Sequence, residues 1–257
     1  MDFETVLIQL LIGLIAFVAN LFSALAGGGA GLVQLPALIF LGLPFSIALA
    51  THKLASVALG LGAGLRHAQE KNLKPRLVLF ILGFGLPGVW FGARMALSIP
   101  SELATASLGF FTLCLGLYSI RRPNLGATRS SLDMDWLHDL IGGLVLFLIG
   151  VLNGSFSSGT GLFVTLWLVR WFALSYSQAV AYTLILVGLF WNGTGAVVLG
   201  IGGEIKWSWL PMLIIGSFIG GYSGAQISLT EGNRLVKRIF EVTSLLMGTF
   251  LIVRSLF

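Results

Sequence analysis

The chain has 257 residues, of which 56% are hydrophobic and only 10% charged, against roughly 25% charged in an ordinary globular domain. Apolar runs near or above the about 18 residues of a membrane helix recur along the sequence, which excludes a soluble fold and predicts an all-α, polytopic membrane protein. The net charge of +5 is no nucleic-acid signature, because the basic residues sit in short loops between apolar segments, where they report orientation.

The first segment, Phe3–Ala26, follows an acidic start (Asp2, Glu4) where a cleaved signal would be basic, and its apolar stretch is too long for one. It is expected to be retained. Gly27-Gly28-Gly29-Ala30-Gly31 then interrupts the pattern, followed by Gly31–Leu43, Phe45–Leu65, Leu77–Leu97 and Leu103–Ile120. These make a first half, residues 1–122, and a polar linker, 123–135, leads to a second half, 136–257. That half reads Trp136–Phe156, a break at Ser157-Ser158-Gly159-Thr160-Gly161, then Gly161–Ala173, Ser177–Leu199, Trp207–Leu229 and Leu235–Phe257. The second and seventh segments are 13 residues each, a rise of about 20 Å. The hydrocarbon core is about 30 Å thick, so these segments cross incompletely or form re-entrant hairpins.

The halves resemble each other at a spacing near 130 residues. Gly29-Ala30-Gly31-Leu32 aligns with Gly159-Thr160-Gly161-Leu162, and Ala48-Leu49-Ala50-Thr51 with Ala179-Val180-Ala181-Tyr182. Gly62-Ala63-Gly64 and Gly92-Ala93-Arg94 match Gly193-Thr194-Gly195 and Gly224-Ala225-Gln226. Five segments per half, an odd number, predicts that the repeats are inverted. Loop charge tests this independently: placing the Arg66–Arg76 loop in the cytoplasm puts 11 basic residues inside and only Arg94, Lys206 and Arg254 outside, with Lys53 inside a segment. The linker is then cytoplasmic and both termini periplasmic.

Inverted repeats with interrupted segments point to a transporter whose substrate sits where the interruptions meet. Each break, with Gly28, Gly29 and Gly31 in one half and Ser157, Ser158, Gly159, Thr160 and Gly161 in the other, leads into a short helix. Helix N-termini offer free N–H groups and partial positive charge to an anion; the alternative is that the glycines only allow close packing or a turn. Lys53 lies about 12 Å into its segment, too deep for easy escape to an interface, with no acidic residue at comparable depth. An anionic ligand or a hydrogen-bond network must compensate it, or it is neutral; the plain alternative is a packed lysine reaching a helix-end carbonyl. His52 is a second candidate, against a satisfied core histidine, and offers a group for proton coupling. Tyr182 and Thr183 hold the second-half positions of Thr51 and His52, so all four are candidate substrate-binding residues. Asn192 joins them as a buried amide able to donate to an anion, as does Asn153, whereas Asn20 reads as a stitch between helices and Gln34 as a weaker candidate. Cys114 is the only cysteine, so neither an intramolecular disulfide nor a cysteine metal cluster is available. No metal-spaced cluster or P-loop lysine is present, so no cofactor and no enzymatic activity are expected, and energy must come from an ion or substrate gradient.

The Gly-rich break, the short helix with Pro36, Leu41-Gly42-Leu43-Pro44, Ala48-Leu49-Ala50-Thr51-His52-Lys53-Leu54 and Gly88-(x3)-Gly92-Ala93 together resemble the TauE/SafE family of sulfite exporter-like permeases. Repetition of the pattern in the second half extends the resemblance over essentially the whole chain. It implies secondary transport of small sulfur-containing anions (sulfite, sulfonates such as sulfoacetate) across the bacterial inner membrane. The implied partners are that anion and the lipid bilayer, with room for proton or ion coupling and for a homo-oligomer. Members of the family often carry Asn at the position of His52 and a glycine-richer second break, so the departures fall at the expected site. An anion channel and a non-transporting scaffold subunit are the competing readings.

Overall fold

A computed structural model describes residues 3–68, 73–98, 101–121 and 136–256; the expected linker, 123–135, lies outside them. The described residues form helices and no strands, as backbone that must satisfy its own hydrogen bonds in lipid requires. In chain order these are α1 (Phe3–Ala26), α2 (Ala30–Phe40), α3 (Phe45–Ala68), α4 (Pro75–Met95), α5 (Ser101–Ile120), α6 (Trp136–Phe156), α7 (Thr160–Trp171) and α8 (Tyr176–Tyr182). A π-helical stretch (Thr183–Trp191) continues α8 into α9 (Asn192–Gly202), and a short 3₁₀ turn (Trp207–Trp209) opens α10 (Leu210–Leu256). Among the described residues, 6 helical stretches are long and apolar enough to cross a membrane, so the chain is a multi-pass membrane protein.

Local chemistry sets the helix ends. Pro75 takes the first position of α4, where its missing N–H costs nothing. Ser175 and Gln178 form a reciprocal capping box at the start of α8. The short helices α2 and α7, of 11 and 12 residues, rise about 16–18 Å and cannot span the core alone. The run Leu210–Leu256 is not one straight rod. Met212 packs on Gly13 of α1, yet Phe250 lines a groove with Leu11 and Ile15 of that same helix. A straight helix would hold Met212 and Phe250 about 57 Å apart, so α10 turns back on itself, giving the two apolar segments read from the sequence.

The two breaks cross each other. Gly27, Gly28 and Gly29 take φ values of 85, 126 and 102°, a left-handed path that side chains resist, while the amides of Gly27 and Gly28 donate to the carbonyl of Ser23 at 2.9 and 2.7 Å. In the second break Gly159 takes φ 72° and Ser157 takes φ 57° despite carrying a side chain. A Cβ at Gly28 would lie 2.5 Å from Gly161 Cα, and one at Gly161 would lie 2.7 Å from Gly28 Cα. The breaks therefore touch backbone to backbone.

Helix packing is reciprocal between the halves. Gly88 and Gly92 of α4 sit against the carbonyls of Phe147 and Val151 in α6, and Gly220 and Gly224 of α10 sit against those of Phe17 and Leu21 in α1. Phe147 and Val151 lie 130 positions beyond Phe17 and Leu21, and Gly220 and Gly224 lie 132 beyond Gly88 and Gly92. The same exchange recurs at the loops: the amide of Lys74 donates to Tyr182 Oη at 2.7 Å, and that of Lys206 to Thr51 Oγ1 at 2.9 Å. The fourth helix of residues 1–122 (α4) thus packs on α6, and the opening of α10, the fourth of residues 136–257, packs on α1.

The backbone crossing makes a direct prediction. Gly161→Ala is expected to destabilise the protein by about 1–3 kcal/mol, read as a lower midpoint in a thermal melt in detergent. Gly83→Ala, at a position with nothing within 4 Å, should leave the midpoint unchanged or raise it.

Candidate substrate-binding site

Beside the crossing lies a small cavity of about 30 Å³, room for about one or two water molecules. Its walls come from both breaks, from α1, from α3, from α6 and from the π stretch with the first residue of α9. Gly28, Gly29, Gly31 and Gly161 supply backbone; His52, Ser56, Ser157, Thr160, Thr183 and Asn192 supply polar side chains together with Ser23 and Asn153, and Ala30, Leu59, Val187 and Gly188 complete the wall. No carboxylate lies among these lining residues. The first amides of α2 and α7, at Ala30, Gly31, Thr160 and Gly161, begin their helices here and have no partner within them. Both helix N-termini consequently face one space.

Lys53 does not line the cavity. It is fully buried behind the wall, and its stem passes Gly195, where a Cβ would meet Cδ at 2.7 Å. Its ammonium donates to Asn153 Oδ1 at 3.0 Å, to Asn192 Oδ1 at 3.4 Å and to Ser157 Oγ at 3.5 Å. Three donors thus meet three neutral acceptors, and among the described residues no carboxylate pairs with this ammonium. The network continues from Asn153: its Nδ2 donates to Thr160 Oγ1 at 2.9 Å, and Thr160 donates to the carbonyl of Ser157, also at 2.9 Å. Ser157 is held in its left-handed conformation by this net, a local strain of the kind that surrounding structure must over-determine.

The remaining candidates separate into two groups. His52 faces the cavity, with Ser56 Oγ one turn later at 3.4 Å from both ring nitrogens. Thr183 also lines the cavity and donates to Thr165 Oγ1 at 2.9 Å, because Thr165 spends its own hydrogen on the carbonyl of Gly27. Ser158 instead donates across the crossing to the carbonyl of Gly31 at 2.9 Å, and Gly159 provides the left-handed residue before α7. Thr51 and Tyr182 are turned toward the loop amides of Lys206 and Lys74 and do not line the cavity. Asn20 is a stitch, as its sequence suggests: Nδ2 contacts the carbonyl of Ala16 at 2.7 Å, Gln34 Oε1 at 3.0 Å and Ser217 Oγ at 2.9 Å, joining α1, α2 and α10.

Three residues emerge only from the structure. Ser23 is buried and lines the cavity, and its hydroxyl has no hydrogen-bond partner among the described residues; it stands 130 positions before Asn153, so the repeat spacing applied to Asn153 would have found it. Ser56 follows His52 at helical spacing and was similarly accessible. Thr165 carries no signal, since nothing in an apolar helix announces which hydroxyl will cap a carbonyl of the other half. The π stretch is equally silent in sequence, yet it ends on Trp191, buried over Gly85, and so fixes Asn192 at the cavity wall.

Loss of one partner in this net should cost more than loss of two. Asn153→Leu leaves the buried ammonium without its shortest acceptor and is expected to destabilise by about 3 kcal/mol. The double variant Lys53→Met/Asn153→Leu should recover much of that, since it leaves no buried charge unpaired. Chemical denaturation of the three purified proteins reads both values.

The family model described as sulfite exporter TauE/SafE matches residues 12–251. A probable membrane transporter protein of Haemophilus influenzae is 30% identical over 91% of this chain and 90% of its own length. The probable membrane transporter protein ORF9 of a Sinorhizobium species is 28% identical over 91% of this chain and 88% of its own. YfcA of Escherichia coli K12, also a probable membrane transporter protein, is 27% identical over 96% and 91%. No solved structure matches the chain significantly.

Proposed function

Since the chain belongs to the sulfite exporter TauE/SafE family, we propose that it is a secondary carrier of small sulfur-containing anions, such as sulfite and sulfonates, across the bacterial inner membrane. One observation carries this reading: the fully buried Lys53 amine, which meets only neutral partners among the described residues, stands behind a cavity with no carboxylate among its lining residues. An uncompensated charge at such depth costs about 2.5–3.5 kcal/mol on insertion scales, and a bound anion offsets that cost. The two helix N-termini at the crossing add partial positive charge on the same side of the balance. A cavity of about 30 Å³ is smaller than a sulfonate headgroup, so binding requires the walls to part, as alternating access does when one repeat rocks against the other.

The two halves are inverted in this reading, with the Arg66–Arg76 loop cytoplasmic and both termini periplasmic. The reciprocal contacts of α4 with α6 and of α10 with α1 support a two-fold relation, and an odd number of segments per half is what an axis in the membrane plane requires. A sided labelling experiment tests the arrangement. In a Cys114→Ser background, a cysteine in place of Asn72 should react only with reagent on the cytoplasmic face, and one in place of Gly203 only from the periplasm. Labelling of both from one face would rule out inversion.

Transport itself is tested in proteoliposomes. Sulfite uptake should saturate and show counterflow, and Lys53→Ala should abolish it while the protein still purifies as a folded monodisperse species. Conductance without saturation or counterflow would mark an anion channel, and no movement of any sulfur anion would leave a scaffold. A thermal-shift series with sulfite, thiosulfate, sulfoacetate and taurine ranks the substrates, because a ligand that binds the native state raises its apparent stability.

A further inference from the structure

We propose that Lys53 is a positioning residue, which makes the cavity anion-selective by fixing the direction of the hydrogen bonds in its wall, without touching the anion itself. The proposal rests on the transport reading above and refines the part Lys53 plays in it. An ammonium can only donate. Each group it meets must therefore turn an acceptor inward, and what that group has left to offer elsewhere is a hydrogen.

The consequence differs for each of the three partners. Asn192 gives Oδ1 to the ammonium, which orients its amide so that Nδ2 has no protein partner among the described residues, in a residue that lines the cavity. Ser157 accepts at Oγ, so its hydroxyl hydrogen is free to point away from the ammonium, and this side chain also lines the cavity. Asn153 accepts at Oδ1 and passes the polarity on through Nδ2 to Thr160 and then to the carbonyl of Ser157, which ties the second break into the same directional chain. Hydrogen bonds arranged in series polarise one another. A wall of neutral amides and hydroxyls is by itself indifferent to sign, since each can donate or accept; the ammonium behind it removes that freedom. Gly195 is what admits the ammonium, because any side chain there would occupy the space of Cδ and Cε.

A double-mutant cycle on sulfite affinity separates positioning from direct contact. Wild type, Lys53→Met, Asn192→Leu and the double variant are purified in detergent and titrated with sulfite by calorimetry. Circular dichroism and thermal melts confirm that each is folded. If Lys53 acts through Asn192 and its neighbours, each single change weakens sulfite binding about tenfold or more, in keeping with loss of a charge-assisted hydrogen bond. The second change then adds little to the first. A direct charge contact predicts that the two losses multiply, and that result overturns the proposal. Gly195→Ala supplies a variant that keeps the charge and moves it: affinity should fall although the ammonium is still present, with Gly193→Ala, at a site with only one ordinary contact, as the control. Unchanged affinity in Gly195→Ala also overturns the proposal. Wild-type protein that binds no sulfite removes the transport reading for that anion, a failure distinct from multiplicative losses in protein that does bind.

Discussion

Backbone that leaves the helix inside a membrane must find its hydrogen bonds and its shielding from protein, because lipid supplies neither. Here two such stretches solve the problem for each other. Gly28 and Gly161 are close enough that neither tolerates a methyl group, Ser158 donates to the carbonyl of Gly31, and Thr165 donates to that of Gly27. Much of the architecture is subordinate to that crossing. The short helices α2 and α7 start at that crossing, and the cavity lies where their two N-termini meet.

The crossing also explains why a lysine can be kept at this depth. A charge in hydrocarbon needs several good acceptors, and a regular helix bundle of Leu, Val and Ala has none to spare. The break in the second half releases Ser157 and presents Asn153 at the end of α6, while the π stretch carries Asn192 round to the same point. Neutral oxygens solvate the ammonium without cancelling its charge. A carboxylate in their place would have neutralised the cavity's surroundings and left it no preference for an anion.

Much of this was legible in the sequence, and the reasons for what was not are physical. Membrane helices announce themselves through composition, so the segments from Phe3–Ala26 to the two apolar runs of α10 could be placed from hydropathy. The breaks were visible because glycine clusters are incompatible with an uninterrupted apolar helix, and Lys53 because a charge there is expensive. Thr51 and Tyr182 were drawn into the candidate site by their place beside His52 and Thr183; adjacent residues on a helix differ by about 100° in direction, and these two point to the loops instead. The repeat spacing located partners without saying which would touch: that Gly88 meets the helix of Phe147, and not a helix of its own half, depends on tertiary arrangement. Ser23 is a reminder that an internal repeat can be read as a map, since its importance follows from that of Asn153.

The exchange of fourth helices has a consequence for how the chain is made. The carbonyl surface of α1 around Phe17 and Leu21 is completed by Gly220 and Gly224, which leave the ribosome about two hundred residues later, on the order of 10–40 s at ordinary elongation rates. During that interval the first half carries an unfinished seam in the bilayer and cannot reach its final packing alone. Assembly is therefore held back until nearly the whole polypeptide has been inserted. A nascent chain that stops short of α10 presents an open groove along its first helix, the sort of exposed surface by which membrane quality control can tell an incomplete protein from a finished one.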